Sequence, residues 1–254
     1  MKIKKIFKWI NNHRDYFISI ISILIFAQFV GWTLYDHLTN WRPKYYTNNS
    51  VDYDALRKYF PPYEFFFMTT HVILLVSFTG SFYFLYKENQ FFKTLFFCSV
   101  AYMVFNAFGL TRFRWDSINK DPYNSYKTLA SHFEFPLISF LMLLWVRKDI
   151  YLNWNALIIG SLYLMFFYIS TMIIYYSITF TNNDNQIENL KMYQFLDFNN
   201  RIMCFPTSNL GLKIFFNTGL IIFCPISGIV IFIVFKIIYN IQLDKYLITK
   251  ELPF

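Results

Sequence analysis

The chain has 254 residues, of which 56% are hydrophobic, 23% are aromatic and only 15% are charged. This composition excludes a water-soluble globule. It also excludes a disordered chain, which needs low hydrophobicity, and a collagen-like repeat, because glycine occurs only seven times. The net charge of +8 does not indicate a nucleic-acid partner, since the basic residues lie between apolar segments and form no single basic face. The sequence is therefore typical of a membrane protein, and its first partner is the lipid bilayer.

Six apolar stretches are long enough to cross about 30 Å of hydrocarbon, a distance that takes about 20 helical residues. They predict an all-α, polytopic fold that forms one six-helix transmembrane domain over residues 1–254. The fourth stretch is short and contains Pro136, which predicts a kink or tilt, and Pro225 is expected to interrupt the sixth in the same way. The predicted spans are 16–36, 64–86, 91–110, 132–147, 154–180 and 213–240.

The distribution of basic residues predicts the orientation of the spans. Five basic residues precede the first apolar stretch, and no small-residue cleavage site follows it, so we expect a retained anchor. With the N-terminus in the cytoplasm, 12 of the 23 basic residues lie inside, in short connections or the tail. Ten of the remaining eleven are spread over three longer outer loops, near 37–63, 111–131 and 181–212, and Lys213 directly follows the third loop. The positive-inside rule therefore favours cytoplasmic N- and C-termini in a multi-pass protein of the cell membrane.

Catalytic and metal-binding motifs of soluble enzymes are absent from the sequence. There is no phosphate-binding Gly-rich loop, no HExxH helix and no GxSxG elbow. The three cysteines, Cys98, Cys204 and Cys224, form neither a CxxC pair nor an even set, so they predict neither a zinc site nor a disulfide framework. We expect no cofactor and no metal.

Polar residues inside the spans carry most of the functional information, because each is costly in lipid unless it is paired or faces a cavity. At about 1.5 Å per residue, the start of the second span places Thr69, Thr70 and His71 about 8–10 Å below the outer face. Four other spans place polar groups at a comparable depth. These groups are Gln28 in the first span, Asn106 in the third, His132 and Glu134 at the start of the fourth, and Asn217 at the start of the sixth. The clustering predicts a polar pocket in the outer half of the membrane, with a lipid or a small amphipathic molecule as its ligand.

Each of these residues also has a purely structural interpretation. Threonine hydroxyls in membrane helices commonly bond to a carbonyl one turn back, which would account for Thr69 and Thr70. His71 and His132 can each make one structural hydrogen bond to a neighbouring helix. Amide side chains such as those of Gln28, Asn106 and Asn217 often hold membrane helices together.

Several segments, in colinear order over about residues 60–240, resemble the six-helix family of androgen-induced and androgen-dependent membrane proteins and its bacterial six-helix relatives. Residues 65–71, Phe-Phe-Phe-Met-Thr-Thr-His, resemble the aromatic and hydroxyl-rich run of that family's second helix. Residues 131–136, Ser-His-Phe-Glu-Phe-Pro, are similar to its His-x-x-x-Pro opening of helix four. Tyr163 and Tyr168, followed by residues 193–198, resemble its helix five and its closing Tyr-Pro-x-Phe-Leu-Asp pattern.

The resemblance implies a Thr/His-dependent hydrolase, because animal members of that family cleave lipid esters with a threonine of helix two and a histidine of helix four. His132 matches that histidine. Setting His71 against the family's asparagine puts Met68 or Phe67 at the position of the nucleophile, so the choice between Thr69 and Thr70 stays open. In the implied reaction a threonine attacks the acyl carbonyl, the histidine takes its proton, and Asn106 or Asn217 stabilises the oxyanion.

Two alternatives to an enzyme remain. The pocket would hold a small amphipathic molecule without chemical change in a binding or transport protein. In a structural membrane protein without a ligand, the polar groups would bond only to one another. The presence of a cavity beside these residues separates the two alternatives.

Overall fold

The computed structural model describes residues 8–39, 68–114, 122–181, 187–189, 201–202, 205–206 and 209–243. These residues are mostly helical, which confirms the all-α class. Seven α-helices follow one another: α1 Arg14–Leu38, α2 Met68–Ser81, α3 Gln90–Arg114, α4 Pro122–Leu129, α5 Phe135–Val146, α6 Trp154–Ser177 and α7 Leu210–Tyr239. A π-helix, Ala130–Glu134, joins α4 to α5, and a 3-10 turn, Arg147–Asp149, follows α5.

Within the described residues, five helical stretches are long and apolar enough to cross a membrane, against six that the sequence predicts. α2 is a shorter apolar helix of 14 residues. The five stretches are Arg14–Asp36, Gln90–Phe108, Ser125–Asp149, Trp154–Ser177 and Leu210–Tyr239.

The predicted bounds of the fourth span, 132–147, are wrong at its start. The helical stretch Ser125–Asp149 is 25 residues long, and it reaches well into the segment 111–131 that we expected to be a loop. The prediction placed this segment in a loop because a charged residue such as Lys127 is typical of a loop. Lys127 is ion-paired with buried Asp36 of α1, and a paired charge is tolerated in a membrane helix.

The two prolines act differently from each other. Pro225 lies inside α7, which continues unbroken past it, so the expected interruption is wrong. Membrane helices tolerate proline because neighbouring groups can satisfy the freed carbonyl. Pro136 comes directly after the π-helix, where the N–H of Phe135 bonds to the carbonyl of Ala130, five residues back. Pro136 has no N–H, so it cannot donate a regular α-helical hydrogen bond. The widened turn at this point removes the need for that bond.

Short strands pair beside the helices. β1 Tyr151–Leu152 pairs in parallel with β6 Gln242–Leu243. The predicted fifth span, 154–180, ends earlier than expected, because α6 stops at Ser177 and the chain continues into a strand. The predicted outer loop 181–212 begins at Thr181, the last residue of this strand, and residues 182–186 lie outside the described residues. The remaining pairs are antiparallel: β2 Thr179–Thr181 with β3 Ile187–Asn189, and β4 Arg201–Ile202 with β5 Phe205–Pro206.

The chain divides into two compact units. The first comprises Met1–Trp41, Val72–Gly160 and Ile229–Phe254, and the second comprises Arg42–His71 and Ser161–Gly228. In the first unit α3 is the most buried helix. In the second unit the buried Tyr168 and Tyr175 of α6 pack against Leu220, Ile221 and Cys224 of α7.

Successive helices of the first unit run in opposite directions. Arg14, at the start of α1, pairs with Asp149 after α5, whereas Asp36, at the end of α1, pairs with Lys127 of α4. The stretch α4–α5 is therefore antiparallel to α1. Gln90, at the start of α3, donates to the Asp149 carbonyl over 3.1 Å, so α3 runs parallel to α1. This alternation is what a chain that crosses a membrane repeatedly requires.

Candidate functional site

The two units divide the predicted site residues between them. The first unit contains Gln28, Asn106, His132 and Glu134, and the second contains Thr69, Thr70, His71 and Asn217.

The π-helix places His132 inside the first unit. His132 is only 5% exposed, although the sequence places it near the membrane surface. The π-helix packs against α3, which carries the equally buried Asn106, at 4% exposed. Single π-turns inside α-helices occur frequently at functional sites. Glu134 ends the π-helix and is half-buried. The arrangement makes His132 and Asn106 the strongest buried polar candidates of this unit.

One face of α1 holds the N-terminal half of the fourth span. Gln28 donates to the hydroxyl of Tyr126 over 3.0 Å, and the ring of Trp32 stacks on Phe135 with their centroids 5.6 Å apart. Residues at spacings of four share one face of a helix. Gln28 thus joins two helices.

Asp36 continues the same face one turn further along α1. Its carboxylate is 4% exposed and pairs with Lys127, five residues before His132. The sequence analysis missed both residues of this ion pair. The signal in the sequence was Asp36 itself, an acidic residue at the last position of the first apolar run. It stands four residues after Trp32 and eight residues after Gln28. The pair fixes the helix that leads into the π-turn.

In the second unit the start of α2 faces aromatic side chains of α6. Thr70 is buried, and Thr69 and His71 are half-buried. The His71 ring meets Phe167 edge-on at 5.6 Å and Tyr163 at 6.2 Å between centroids. These contacts give His71 a packed aromatic environment.

An open cleft lies between α6 and α7 in the second unit. Its volume is about 220 Å³, and we call it the α6–α7 cleft. Asn217 is the one predicted site residue in its wall. The hydroxyl of Tyr168 donates to Asn217 Oδ1 over 3.1 Å, which leaves the Asn217 NH2 group as a donor. The described residues that line the cleft are Met172, Tyr176, Leu210, Lys213, Ile214, Asn217, Thr218 and Ile221.

Sequence reasoning missed Lys213 as a site residue because it stands at the first position of the predicted sixth span. A lysine there resembles an ordinary interface residue. Its role in the cleft depends on how α6 and α7 pack, which the sequence does not give.

Metal chemistry finds no support among the described residues. Within these ranges, no group of three or more His, Cys, Asp or Glu side chains is arranged to hold an ion. Cys98 is buried and Cys224 is half-buried, both as free thiols, and Cys204 lies outside the described residues.

The fold and the cleft define a polytopic α-helical membrane protein. No protein-family model, curated protein or solved structure matches the chain. Function must therefore be argued from the geometry of its residues.

Proposed function

We propose that this chain is a six-span protein of the cell membrane, with cytoplasmic termini, that binds a small amphipathic molecule in the α6–α7 cleft. The predicted second span, 64–86, completes the six spans, and α2 is its described helix. At about 1.5 Å per residue, its 14 described residues cover about 21 Å, so a few more are needed to cross the bilayer. The alternating helix directions of the first unit support this topology, and the basic residues support the orientation.

The observation that carries the proposal is the two-sided lining of the cleft. Lys213, Asn217 and Thr218 supply polar groups, whereas Met172 and Ile221 are among its apolar walls. Ligand sites are typically clefts in which a few polar groups fix the orientation of a mainly apolar ligand.

The size of the cleft limits how much of the ligand it can enclose. Pockets that bury a whole drug-sized ligand have volumes of about 300–1,000 Å³. The α6–α7 cleft, at about 220 Å³, accommodates a head group and the start of a chain. The rest of the chain would extend along exposed apolar side chains nearby, such as that of Ile173.

Photolabelling tests this function. The full-length protein is reconstituted in nanodiscs with a single-chain amphiphile that carries a diazirine, and labelled peptides are mapped by mass spectrometry. We expect labels concentrated on residues 172–176 and 210–221. Thr218→Trp fills the cleft and should remove most of this label, whereas Ile222→Trp, on the same helix but outside the lining, should not. Equal labelling of all lipid-facing segments would contradict the proposal.

Ester hydrolysis is a second candidate, favoured by the buried His132 in a π-helix that packs against the helix of Asn106. The reaction in which Thr69 or Thr70 attacks the acyl carbonyl and His132 accepts the hydroxyl proton stays a prediction from the sequence, because the threonines belong to the second compact unit and His132 to the first. His132 then protonates the departing alcohol, and water hydrolyses the acyl-threonine to release the acid.

The test is lipid-ester turnover by the purified protein, compared with His132→Ala, Thr69→Val and Thr70→Val. Loss of a general base typically lowers the rate by about 10²–10⁴-fold. We expect this loss in His132→Ala and in one threonine variant only. Equal turnover by His132→Ala and an active parent would refute hydrolysis and leave amphiphile binding unaffected.

A further inference from the structure

We propose that the end of the first unit at which α1 begins binds anionic phospholipids of the cytoplasmic leaflet. We call it the basic end, and its exposed lysines among the described residues are Lys8, Lys87 and Lys148. This surface is separate from the α6–α7 cleft. The inference rests on the proposed six-span topology and does not depend on binding in the cleft.

Side-chain contacts bring several chain segments together at the basic end. The bonds of Asp149 place the end of α5 and the start of α3 beside the start of α1. The ring of Tyr16 meets Phe84, in the segment after α2, edge-on at 5.5 Å between centroids. Arg147 donates to the carbonyl of Tyr239, the last residue of α7, over 3.4 Å. The charged residues of these segments therefore share one end of the unit.

The sequence places almost all of the net charge of the chain at this end. In the proposed topology it carries 12 basic and five acidic residues, which is a net charge of +7 out of +8. The count is made on the whole sequence, so it includes the residues outside the described ranges. The first 13 residues alone supply four lysines and no acidic residue. A surface of this charge is complementary to an anionic leaflet.

The acidic residues described at this end are turned partly inward, whereas the lysines face outward. The Arg14 guanidinium pairs with Asp149 and lies 3.9 Å from the carboxylate of Asp15, and all three side chains are half-buried. Glu88 is exposed beside Lys87. The remaining exposed charge is that of the three lysines, so the described surface is mainly cationic.

A side-chain bond holds the segment that carries Lys8 against the end of α5. The indole N–H of Trp145 donates to Asn11 Oδ1 over 3.2 Å. Lys8 stands three residues before Asn11, and Lys148 stands three residues after Trp145. The two exposed lysines therefore flank the same contact, and both can reach head groups of one leaflet.

Exposed aromatic rings beside the lysines indicate a lipid in preference to a soluble polyanion. Trp9 is 56% exposed and Tyr16 is 51% exposed. The Lys87 ammonium lies 5.8 Å from the centroid of the Phe84 ring. Tryptophan and tyrosine rings are enriched at the level of the lipid head groups. Lysines next to such rings meet the phosphates of a leaflet.

Two photoactivatable lipids with a diazirine at the start of one acyl chain test the inference. One has a phosphoglycerol head group and the other has a phosphocholine head group. Each is added in small amounts to phosphatidylcholine nanodiscs that contain the full-length protein, and labelling of residues 1–17 is quantified by mass spectrometry. One lysine near an anionic leaflet contributes about 1 kcal/mol, so we expect at least about fivefold more labelling by the phosphoglycerol lipid. Residues 28–38, at the other end of α1, should show no such preference.

Matched triple variants assign the preference to the basic end. The test variant combines Lys8→Gln, Lys87→Gln and Lys148→Gln, and the control combines Lys44→Gln, Lys58→Gln and Lys213→Gln. The test variant should lower the preference to less than half, whereas the control, which removes the same charge from the outer side, should leave it unchanged. Arginine in place of the three exposed lysines should keep the preference. Monodisperse elution and an unchanged melting temperature establish that each variant is folded.

The outcomes separate this inference from the proposed binding function. Equal labelling of residues 1–17 by the two lipids in the unaltered protein would overturn it. An equal loss of preference in the test and control variants would overturn it as well, because total charge would then be the cause. Suppression of the label by soluble polyphosphate would assign the basic end to a soluble polyanion and overturn the lipid. Labelling of the α6–α7 cleft is scored on other peptides, so none of these results changes the test of amphiphile binding.

Discussion

The contact between α1 and α2 depends on Gly80, and replacing it with alanine should destabilise the protein. A Cβ at Gly80 would overlap Ser22 Oγ and lie 2.8 Å from Ser22 Cβ and 3.2 Å from the ring of Phe96. Rotation of Ser22 moves its hydroxyl away but leaves its Cβ in place. Phe96 is fully buried and has little room to move. Small residues allow membrane helices to approach this closely.

The cost follows from these distances. Carbon atoms in favourable contact lie about 3.5–4.0 Å apart, so α1 and α2 must separate by at least roughly 0.7 Å. Overpacking of this kind costs about 1–3 kcal/mol. Alanine returns up to about 1 kcal/mol of helix propensity relative to glycine. We therefore expect Gly80→Ala to lower the free energy of unfolding by about 1 kcal/mol.

The assay is SDS-induced unfolding in mixed micelles, followed by circular dichroism. Gly31→Ala is the matched control, because no atom lies within 4 Å of its added Cβ and only the propensity gain applies. It should be neutral or stabilising. Ser22→Gly removes the closest obstacle, so Gly80→Ala should cost clearly less in that background.

Two results would refute this account of the interface. One is a Gly80→Ala protein as stable as Gly31→Ala. The other is a Gly80→Ala change that costs as much stability in the Ser22→Gly background as it does with Ser22 in place.

Three further predictions concern other contacts of the first unit and the topology. Gly160→Ala should destabilise less than Gly80→Ala, since its Cβ would meet Cys98 Sγ at 2.9 Å and Cys98 Cβ at 3.0 Å. In the same unfolding assay, Cys98→Ala should relieve part of this cost, because it removes the Sγ contact and keeps the Cβ contact. Asp36→Asn should cost about 1–3 kcal/mol, because Lys127 loses its buried carboxylate but keeps some solvent access. The double variant Asp36→Asn with Lys127→Met should cost less than Asp36→Asn alone. If the costs of the two single changes simply added in the double variant, this would argue against the ion pair. Finally, green fluorescent protein fused to the C-terminus should fluoresce, whereas alkaline phosphatase fused there should be inactive. The reverse pattern would overturn the cytoplasmic C-terminus.

The sequence predicts the membrane class and most span positions because a run of about 20 consecutive apolar residues is characteristic of a transmembrane helix. It misplaces elements where tertiary contacts decide. Lys127 resembles a loop residue until Asp36 is seen to neutralise it. Pro225 resembles a helix break, but α7 continues past it, because in a membrane helix neighbouring groups can satisfy the freed carbonyl.

The candidate site shows the same limit. Asn217 was predictable as a polar residue inside an apolar span. Its neighbours Lys213 and Thr218 gain meaning only from the cleft, and the cleft exists because of how α6 and α7 pack. His132 was predictable as a candidate from its polar side chain at the start of the predicted fourth span, but its burial in a π-helix was not.

The most direct test of the central claim is the distribution of label from the diazirine amphiphile along α6 and α7. If the α6–α7 cleft binds an amphiphile, the label concentrates on residues 172–176 and 210–221, falls with Thr218→Trp and persists with Ile222→Trp. If the cleft is only a surface depression, labelling follows lipid exposure along both helices and neither tryptophan changes its distribution.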